Sequence, residues 1–333
     1  MQRANNLFER IPLRANLLLA VAKALRGKRG KRDAQAWVAD LDANLQRLAE
    51  EIRRGELRVG EARQFMIHDP KERLITAPCF GERVLHHAVM NVCEPEFERR
   101  LIFHTYACRR GKGQFAALAA ARNFAAANAW FLKMDVRKYF DSIPKAAMLE
   151  RLGRVFAERR VLDLFARMLH AHRPGEPCGL PIGSLISQHC ANLYLDAVDR
   201  LVTQDLGIGA CVRYMDDFIV WAADKATLAE VREAVRSRLA TLGLAFKCEP
   251  QLNRTGHGMN FLGHRVFARR VMPNHRSQTR FRRKLLRIDE AVSTGTMGEA
   301  EAQRSLNAVC AFVSHFGLAA WRRRVMLASG RGL

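Results

Sequence analysis

The segment VRYMDDFIVW, residues 212–221, places two adjacent aspartates inside a run of residues that favour a buried β-strand. The apolar residues on either side predict two short strands joined by a hairpin, with Asp216 and Asp217 at its tip. A hairpin turn that serves only to join two strands more often contains Asn-Gly or Asp-Gly, because type I′ and II′ turns require residues with positive φ. Two carboxylates beside an apolar sheet need a counter-charge, and oxygen ligands are those that Mg²⁺ takes. The alternative interpretation is a solvated turn that binds no metal.

A third carboxylate, Asp135, ends an apolar strand predicted over residues 130–136. The end of one strand beside the tip of a hairpin allows carboxylates from distant parts of the chain to converge at one edge of a sheet. Two metal ions about 3.5–4 Å apart, held by such carboxylates, activate a nucleophilic hydroxyl and stabilise the leaving oxygens of a phosphoryl transfer. The pattern therefore predicts nucleotidyl transfer. Asp135 could instead be a surface or helix-start aspartate, an interpretation that fits Asp141 better.

The charge of the chain favours a polyanionic partner. The 333 residues include 55 Lys and Arg against 33 Asp and Glu, which gives a net charge of +22. Nucleic acid is the first expectation, because lysine and arginine neutralise phosphates and release counterions; a merely basic soluble protein is the alternative. No apolar run approaches the roughly 20 residues of a membrane helix. We therefore expect a cytoplasmic protein with no membrane partner.

The order of periodic segments predicts an α+β fold. Residues 265–333 are predicted to be helical and basic, with 14 Lys and Arg against 4 Asp and Glu. Helices are predicted over 7–54, 82–97, 114–127, from about 141 to 171 in two parts, over 187–201 and over 227–242. Strands are predicted at 130–136 and 244–247, in hairpins over 65–78 and around Asp216, and as a short pair near FLGHRVFARRVMP.

Five segments together resemble the palm motifs of reverse transcriptases. They are FLKMDVRKYFDSI, GLPIGSLISQHCANLYLDAVD, RYMDDFIVW, the lysine of LAFKCEP, and FLGH, in that order. PKERLITAP and the segment from GERVLHH to CRRGKG are similar to the fingers of that family. The resemblance covers about residues 63–266 and implies a right-hand polymerase fold. It places a helical N-terminal extension at 1–60, fingers at 61–134 and about 144–180, a palm at 135–265, and a basic helical thumb at 266–333.

The resemblance implies a catalytic centre that holds two Mg²⁺ ions. The metal-binding residues would be Asp135, Val136, Asp216 and Asp217, with Asp135 and Asp216 as the primary ligands. The three aspartates would be catalytic, and Lys247 would be the candidate that protonates pyrophosphate.

The same resemblance assigns residues to the incoming dNTP. Phe140, five positions after Asp135, corresponds to an aromatic gate that collides with a ribose 2′-hydroxyl, which implies DNA synthesis. Lys71, Arg73 and Arg110 match basic fingers positions that would neutralise the triphosphate. Each of these three, and Lys247, could instead be a plain surface cation.

One loop departs from the common family pattern. Most reverse transcriptases carry Q-G-x-x-x-S-P where this chain has Ile182, Gly183 and, at the last position, Gln188, all three assigned to substrate binding. This form resembles the enzymes of diversity-generating retroelements, which copy a template-repeat RNA with errors at adenines. Isoleucine offers only apolar contact where glutamine can hydrogen-bond around the nascent base pair. We therefore hypothesise that Ile182 loosens nucleotide selection; a neutral loop substitution is the alternative.

The implied partners are template RNA, a cDNA or primer strand, dNTPs and a small basic pentameric accessory protein. Two rival functions stay open. One is a retron or stripped group II intron-type reverse transcriptase of ordinary fidelity. The other is a maturase-like RNA-binding scaffold that does not polymerise, although such a binder has no need for three converging carboxylates beside an anionic ligand.

Overall fold

The computed structural model describes residues 2–68, 72–316 and 318–328, without the side chains of 327 and 328. The N-terminal region is helical as predicted: α1 is Arg14–Ala24, α2 is Arg32–Ala39 and α3 is Leu41–Arg54. Leu45, Leu48 and Ile52 form the buried face of α3, at the spacing of an amphipathic helix. No helix in the described ranges is both long and apolar enough to cross a membrane.

The predicted basic-tipped hairpin is present as two antiparallel strands, β1 (Ala62–Ile67) and β2 (Arg73–Pro78). Two helices follow, α4 (Phe80–Arg100) and α5 (Gln114–Ala127), close to the ranges that the periodicity predicts. Helix α1 packs along α4, and the N-terminal helices share one large hydrophobic core with α4 and with later residues up to Leu244. Helix α5 packs in a second core with Phe131, Val212 and Trp221 of the central sheet.

A four-stranded antiparallel sheet in the order β4-β5-β3-β6 lies at the centre of the chain. Its strands are β3 (Trp130–Asp135), β4 (Cys211–Tyr214), β5 (Asp217–Ala222) and β6 (Gln251–Arg254). The prediction of a strand at 244–247 was wrong, because only Phe246 pairs there, in a single bridge to Val136. The fourth strand is β6 instead, which pairs with the first half of β3.

The helices between these strands are α6 (Tyr139–Ser142), α7 (Lys145–Val155), α8 (Arg159–His170), α9 (Leu185–Tyr194), α10 (Asp196–Arg200) and α11 (Lys225–Thr241). The segment predicted as one helix over 187–201 is two, since the chain bends at Leu195. Helix α11 packs against β3 and β5. The apolar positions alone could not show the break, because both helices present buried faces to the same core.

The C-terminal part has a small antiparallel sheet of three strands, one more than predicted: β7 (Met259–Phe261), β8 (His264–Val266) and β9 (Val271–Pro273). It leads into three helices, α12 (His275–Ser293), α13 (Glu299–Ala311) and α14 (Ala319–Ala328). Phe281 and Leu285 of α12 pack with Val313 and Val325 in a separate small core. The expected basic helical end of the chain is therefore present.

Candidate active site

Strand register brings the three predicted aspartates together. Asp135, the last residue of β3, lies directly across from Asp217, the first residue of β5. Asp217 also pairs with Tyr214 of β4, so Met215 and Asp216 form the turn of the β4–β5 hairpin. Met215 has a φ of +56°, an uncommon conformation for a side chain of this kind, which marks a tight turn.

The carboxylates are close enough to change one another's protonation. Burial raises the pKa of Asp216, and the charge of Asp135 and a hydrogen bond with it raise that pKa further. Burial also raises the pKa of Asp217 to about 6, with the charges of Asp135 and Asp216 acting in the same direction. Like charges held together in this way create a demand for a cation.

Two lysines partly meet that demand. Lys133 Nζ lies 3.1 Å from the Asp217 carboxylate and lowers its pKa, although burial has the larger effect. Lys247 Nζ forms an ion pair with Asp135, and its backbone N–H donates to the carbonyl of Asp135 at 2.8 Å. The predicted catalytic Lys247 thus belongs to the cluster. Lys133 was missed, although its position two residues before Asp135 in a strand puts both side chains on one face.

The donor set fits a divalent cation that prefers oxygen. Asp135 acts on Asp216 closely enough to raise its pKa, and Asp217 Oδ1 is buried with Lys133 Nζ 3.1 Å away, although no hydrogen bond of good geometry reaches this oxygen among the described residues. Carboxylate oxygens are the ligands that Mg²⁺ takes. Over the described residues, no three histidine, cysteine, aspartate or glutamate side chains are arranged as a formed metal site. Val136, the remaining predicted ligand, has a buried side chain and pairs with Phe246.

A buried ion pair that sequence reasoning missed supports the hairpin. Arg213 of β4 is 1% exposed and binds Asp199, at the end of α10, through Nε to Oδ1 at 2.8 Å and Nη2 to Oδ2 at 2.6 Å. Its Nη1 donates to the Met215 carbonyl at 3.2 Å and to Asn192 Oδ1 at 3.1 Å. The available signal was an arginine inside an apolar strand, which needs a buried partner.

The hairpin β1–β2 brings Arg73 towards the carboxylates. Arg73 is exposed, yet its charge lowers the pKa of Asp216, in opposition to burial. The loop that carries the unusual motif is fixed to the same strand, since Thr76 N–H donates to the Ile182 carbonyl at 2.8 Å. Gly183 has a φ of +111°, and a Cβ there would lie 2.6 Å from the Thr76 oxygen, so only glycine fits.

The other predicted substrate residues line the approach to this loop. Phe140 is half-buried, and its carbonyl accepts from Leu180 N–H at 2.8 Å. Gln188 accepts from Cys108 Sγ at 3.3 Å and, with Gly183, lines a cavity of about 200 Å³. Arg83, His86 and His87 of α4 line its other side.

One of the predicted basic fingers residues, Arg110, does not join this group. Arg110 is highly exposed, and Nε lies 3.7 Å from Glu94 Oε1 of α4, beside Lys23. No contact between Arg110 and the carboxylates occurs in the described part of the chain. Lys71 lies outside the described residues.

With this geometry in view, comparison with known proteins identifies the family. The family described as "Reverse transcriptase (RNA-dependent DNA polymerase)" matches residues 68–266, which include all three aspartates. The chain belongs to the reverse transcriptase family. The resemblance to reverse transcriptases that the sequence motifs predict is confirmed, whereas the diversity-generating subtype is not established by this match.

Relatives of this reverse transcriptase include proteins named for introns. A Saccharomyces cerevisiae protein named for intron 1 of COX1/OXI3 is 23% identical over 214 residues, 60% of this chain and 25% of that protein. Nuclear intron maturase 1, mitochondrial, from Arabidopsis thaliana is 29% identical over 92 residues, 28% of this chain and 13% of that protein. The chain thus spans a quarter or less of these two relatives. Protein YkfC of Escherichia coli is 23% identical over 286 residues, 70% of this chain and 73% of that protein.

Solved structures confirm the fold of the reverse transcriptase. Apo telomerase from Candida tropicalis superposes with a TM-score of 0.54 at 11% identity, over 82% of this chain and 59% of that one. A form truncated from the C-terminal domain gives 0.51 at 12% identity, over 64% of this chain and 55% of that one. The predicted α+β right-hand polymerase fold is therefore correct.

Proposed function

We propose that this protein is an RNA-directed DNA polymerase that extends a DNA strand on an RNA template by Mg²⁺-dependent nucleotidyl transfer. The observation that carries the proposal is the strand register that sets Asp135 across from Asp217, with Asp216 in the adjoining hairpin turn. Asp135 and Asp216 would hold two Mg²⁺ ions, which supply charge neutralisation and activation of a hydroxyl. Lys247, which forms an ion pair with Asp135, would donate a proton to the departing pyrophosphate, and Arg73 would contact the triphosphate.

The test is primer extension by the Asp216→Asn variant. Asp163→Asn is the matched control, because Asp163 is an exposed residue of α8 whose carboxylate lies 3.4 Å from Arg159. We expect the Asp216 variant to lose extension on a defined RNA with dNTPs and Mg²⁺ while keeping its affinity for RNA. The control should do both as the wild type does. Equal extension by the Asp216 variant and wild type would remove the proposed catalytic centre.

The finer proposal is that the product is cDNA with errors at template adenines, made from a template-repeat RNA for targeted diversification. It rests on the I-G-x-x-x-S-Q loop, where Ile182 replaces a hydrogen-bonding glutamine. The template RNA, a primer strand and dNTPs are the proposed ligands, and a small basic pentameric protein the proposed accessory partner. Sequencing of the cDNA distinguishes the two kinds of reverse transcriptase. Errors concentrated opposite template adenines support the diversity-generating subtype, and accurate cDNA favours an intron-type or retron enzyme.

A second candidate function is that of an intron-type reverse transcriptase or a maturase-like RNA-binding scaffold. The names of the intron-associated relatives favour it. The scaffold differs from either polymerase in its response to Asp216→Asn, since a scaffold would keep its whole function when the carboxylate is neutralised. RNA splicing that is supported equally by wild type and variant, together with absent extension by both, would favour the scaffold.

A further inference from the structure

A surface cavity away from the carboxylates is rich in arginine. It has a volume of about 400 Å³ and is bordered by the end of α4, by α7, by the α9–α10 segment with the turn after it, and by α11. Its five arginines are Arg100, Arg151, Arg154, Arg200 and Arg238. None of the aspartates of the candidate active site lines it.

Three of these arginines already have acidic partners. Arg200 Nε lies 2.7 Å from Asp196, and Arg238 Nη2 lies 3.6 Å from Asp205. Arg154 lies 2.5 Å from Glu150. Each of these acids forms an ion pair with one arginine; Asp196 also raises the pKa of Arg151 by its charge, but forms no ion pair with it among the described residues.

The remaining two arginines have no acidic partner within 4 Å in the described part of the chain. Arg100 Nη2 donates to the backbone carbonyl of Gln2, at 3.2 Å. Arg151 is half-buried with its guanidinium over the ring of Tyr194, 5.2 Å from the ring centre. Burial lowers the pKa of Arg151, which shows that its charge is costly where it stands. An anion at this position would lower that cost.

We propose that this arginine cavity binds the phosphate backbone of RNA, outside the catalytic cleft. The proposal rests on the proposed function only in taking RNA as the ligand of the chain. The planar guanidinium forms paired hydrogen bonds with phosphate oxygens, and arginine is less strongly hydrated than lysine. The cavity lining includes no aromatic ring among the described residues, so it suits a phosphate contacted without its base, as in sequence-independent binding to a backbone.

The first test is the binding of a long folded RNA to the double variant Arg100→Gln/Arg151→Gln. Arg14→Gln/Arg159→Gln is the matched control, since it removes the same charge from two exposed, ion-paired positions. We expect the cavity variant to bind about tenfold more weakly at moderate salt and its log–log salt dependence to fall by about 1.5, from two lost phosphate contacts. Equal affinities and slopes for the two double variants would overturn the proposal.

Extension of a short primer–template, which occupies only the catalytic cleft, should be the same for the cavity variant and the control. This separates the proposal from the proposed function. If the wild-type protein does not extend a primer, but the cavity variant still binds RNA more weakly than the control, the polymerase is overturned and the arginine cavity is not. Equal loss of short-template extension and RNA affinity in the cavity variant would show a general folding defect.

A second measurement uses the wild-type protein and does not depend on the folding of a variant. Phenylglyoxal modification of Arg151 and Arg100 is followed by mass spectrometry, with the long RNA, with inorganic phosphate, or with neither. Protection by RNA but not by phosphate at the same phosphate concentration supports the proposal. Equal protection by inorganic phosphate would assign the cavity to a free phosphate compound, and the absence of protection by RNA would overturn the proposal outright.

Discussion

Removal of the Asp199 carboxylate should destabilise the protein more than a typical single substitution does. Asp199 is fully buried and accepts hydrogen bonds from Nε and Nη2 of Arg213, which is 1% exposed. Burial acts to lower the pKa of Arg213, yet Asp199 raises it above its ordinary value, so the guanidinium stays charged when buried. Asp199→Ala would leave this charge without its counter-charge, at a cost of about 3–5 kcal/mol.

The assay is thermal unfolding followed by circular dichroism, with Asp163→Ala as the control. Asp163 forms an exposed ion pair with Arg159, so its loss should cost less than about 1 kcal/mol. Because the entropy of unfolding is about 2.1 cal/mol/K per residue, 1 kcal/mol corresponds to about 1.4 °C for 333 residues, so Asp199→Ala should lower Tm by about 4 °C or more. Primer extension should also fall, because Arg213 holds the Met215 carbonyl of the catalytic turn.

A double variant tests whether the uncompensated charge of Arg213 causes this loss of stability. Asp199→Leu combined with Arg213→Met removes both charges, and replacement of a buried pair by apolar residues is often close to neutral. We expect the double variant to be more stable than Asp199→Ala, by about 2 kcal/mol or more. A loss below about 1 kcal/mol in Asp199→Ala, or a double variant less stable than the single one, would refute the argument that an uncompensated buried charge dominates.

Three further predictions concern the loop and the core. Gly183→Ala should add about 1–3 kcal/mol of strain, because the new Cβ would lie 2.6 Å from the Thr76 oxygen, and it should raise the KM for dNTP in single-nucleotide extension. The control is Gly153→Ala, whose new Cβ would lie in open space and should leave the KM unchanged. Equal KM values for the two variants would contradict this prediction. Ile182→Gln should lower the error frequency of sequenced cDNA, and an unchanged error spectrum would reject the hypothesis. Burial lowers the pKa of His189 to about 4 in the folded chain, whereas in the unfolded chain it has the ordinary value of about 6.5. Below about pH 6.5 the unfolded chain therefore binds a proton that the folded chain takes up only near pH 4. Stability should thus fall from pH 7 to 5, by about 2 kcal/mol more in wild type than in His189→Gln; parallel pH profiles in urea titrations would show that this histidine does not contribute.

Much of the fold follows from local patterns in the sequence. The amphipathic spacing of Leu45, Leu48 and Ile52 predicts a helix because residues three and four apart share one helical face. The apolar runs on each side of Asp216 predict the β4–β5 hairpin for the corresponding reason in strands. Patterns of this kind failed where pairing is non-local: the strand expected at 244–247 is one bridge at Phe246, and the sheet continues through β6.

The sequence itself determined the identities of the candidate catalytic aspartates, because Asp216 and Asp217 in a predicted hairpin and Asp135 at a predicted strand end together resemble the motifs of reverse transcriptases. Their mutual contact was decided only by the register of β3 against β5, which sets Asp135 across from Asp217. The same applies to their surroundings. Lys133 and Lys247, 114 positions apart in the numbering, reach the same cluster, and Arg213 meets Asp199 across the core. No local pattern encodes such partners, since burial and counter-charge depend on which distant segments the packed chain brings together.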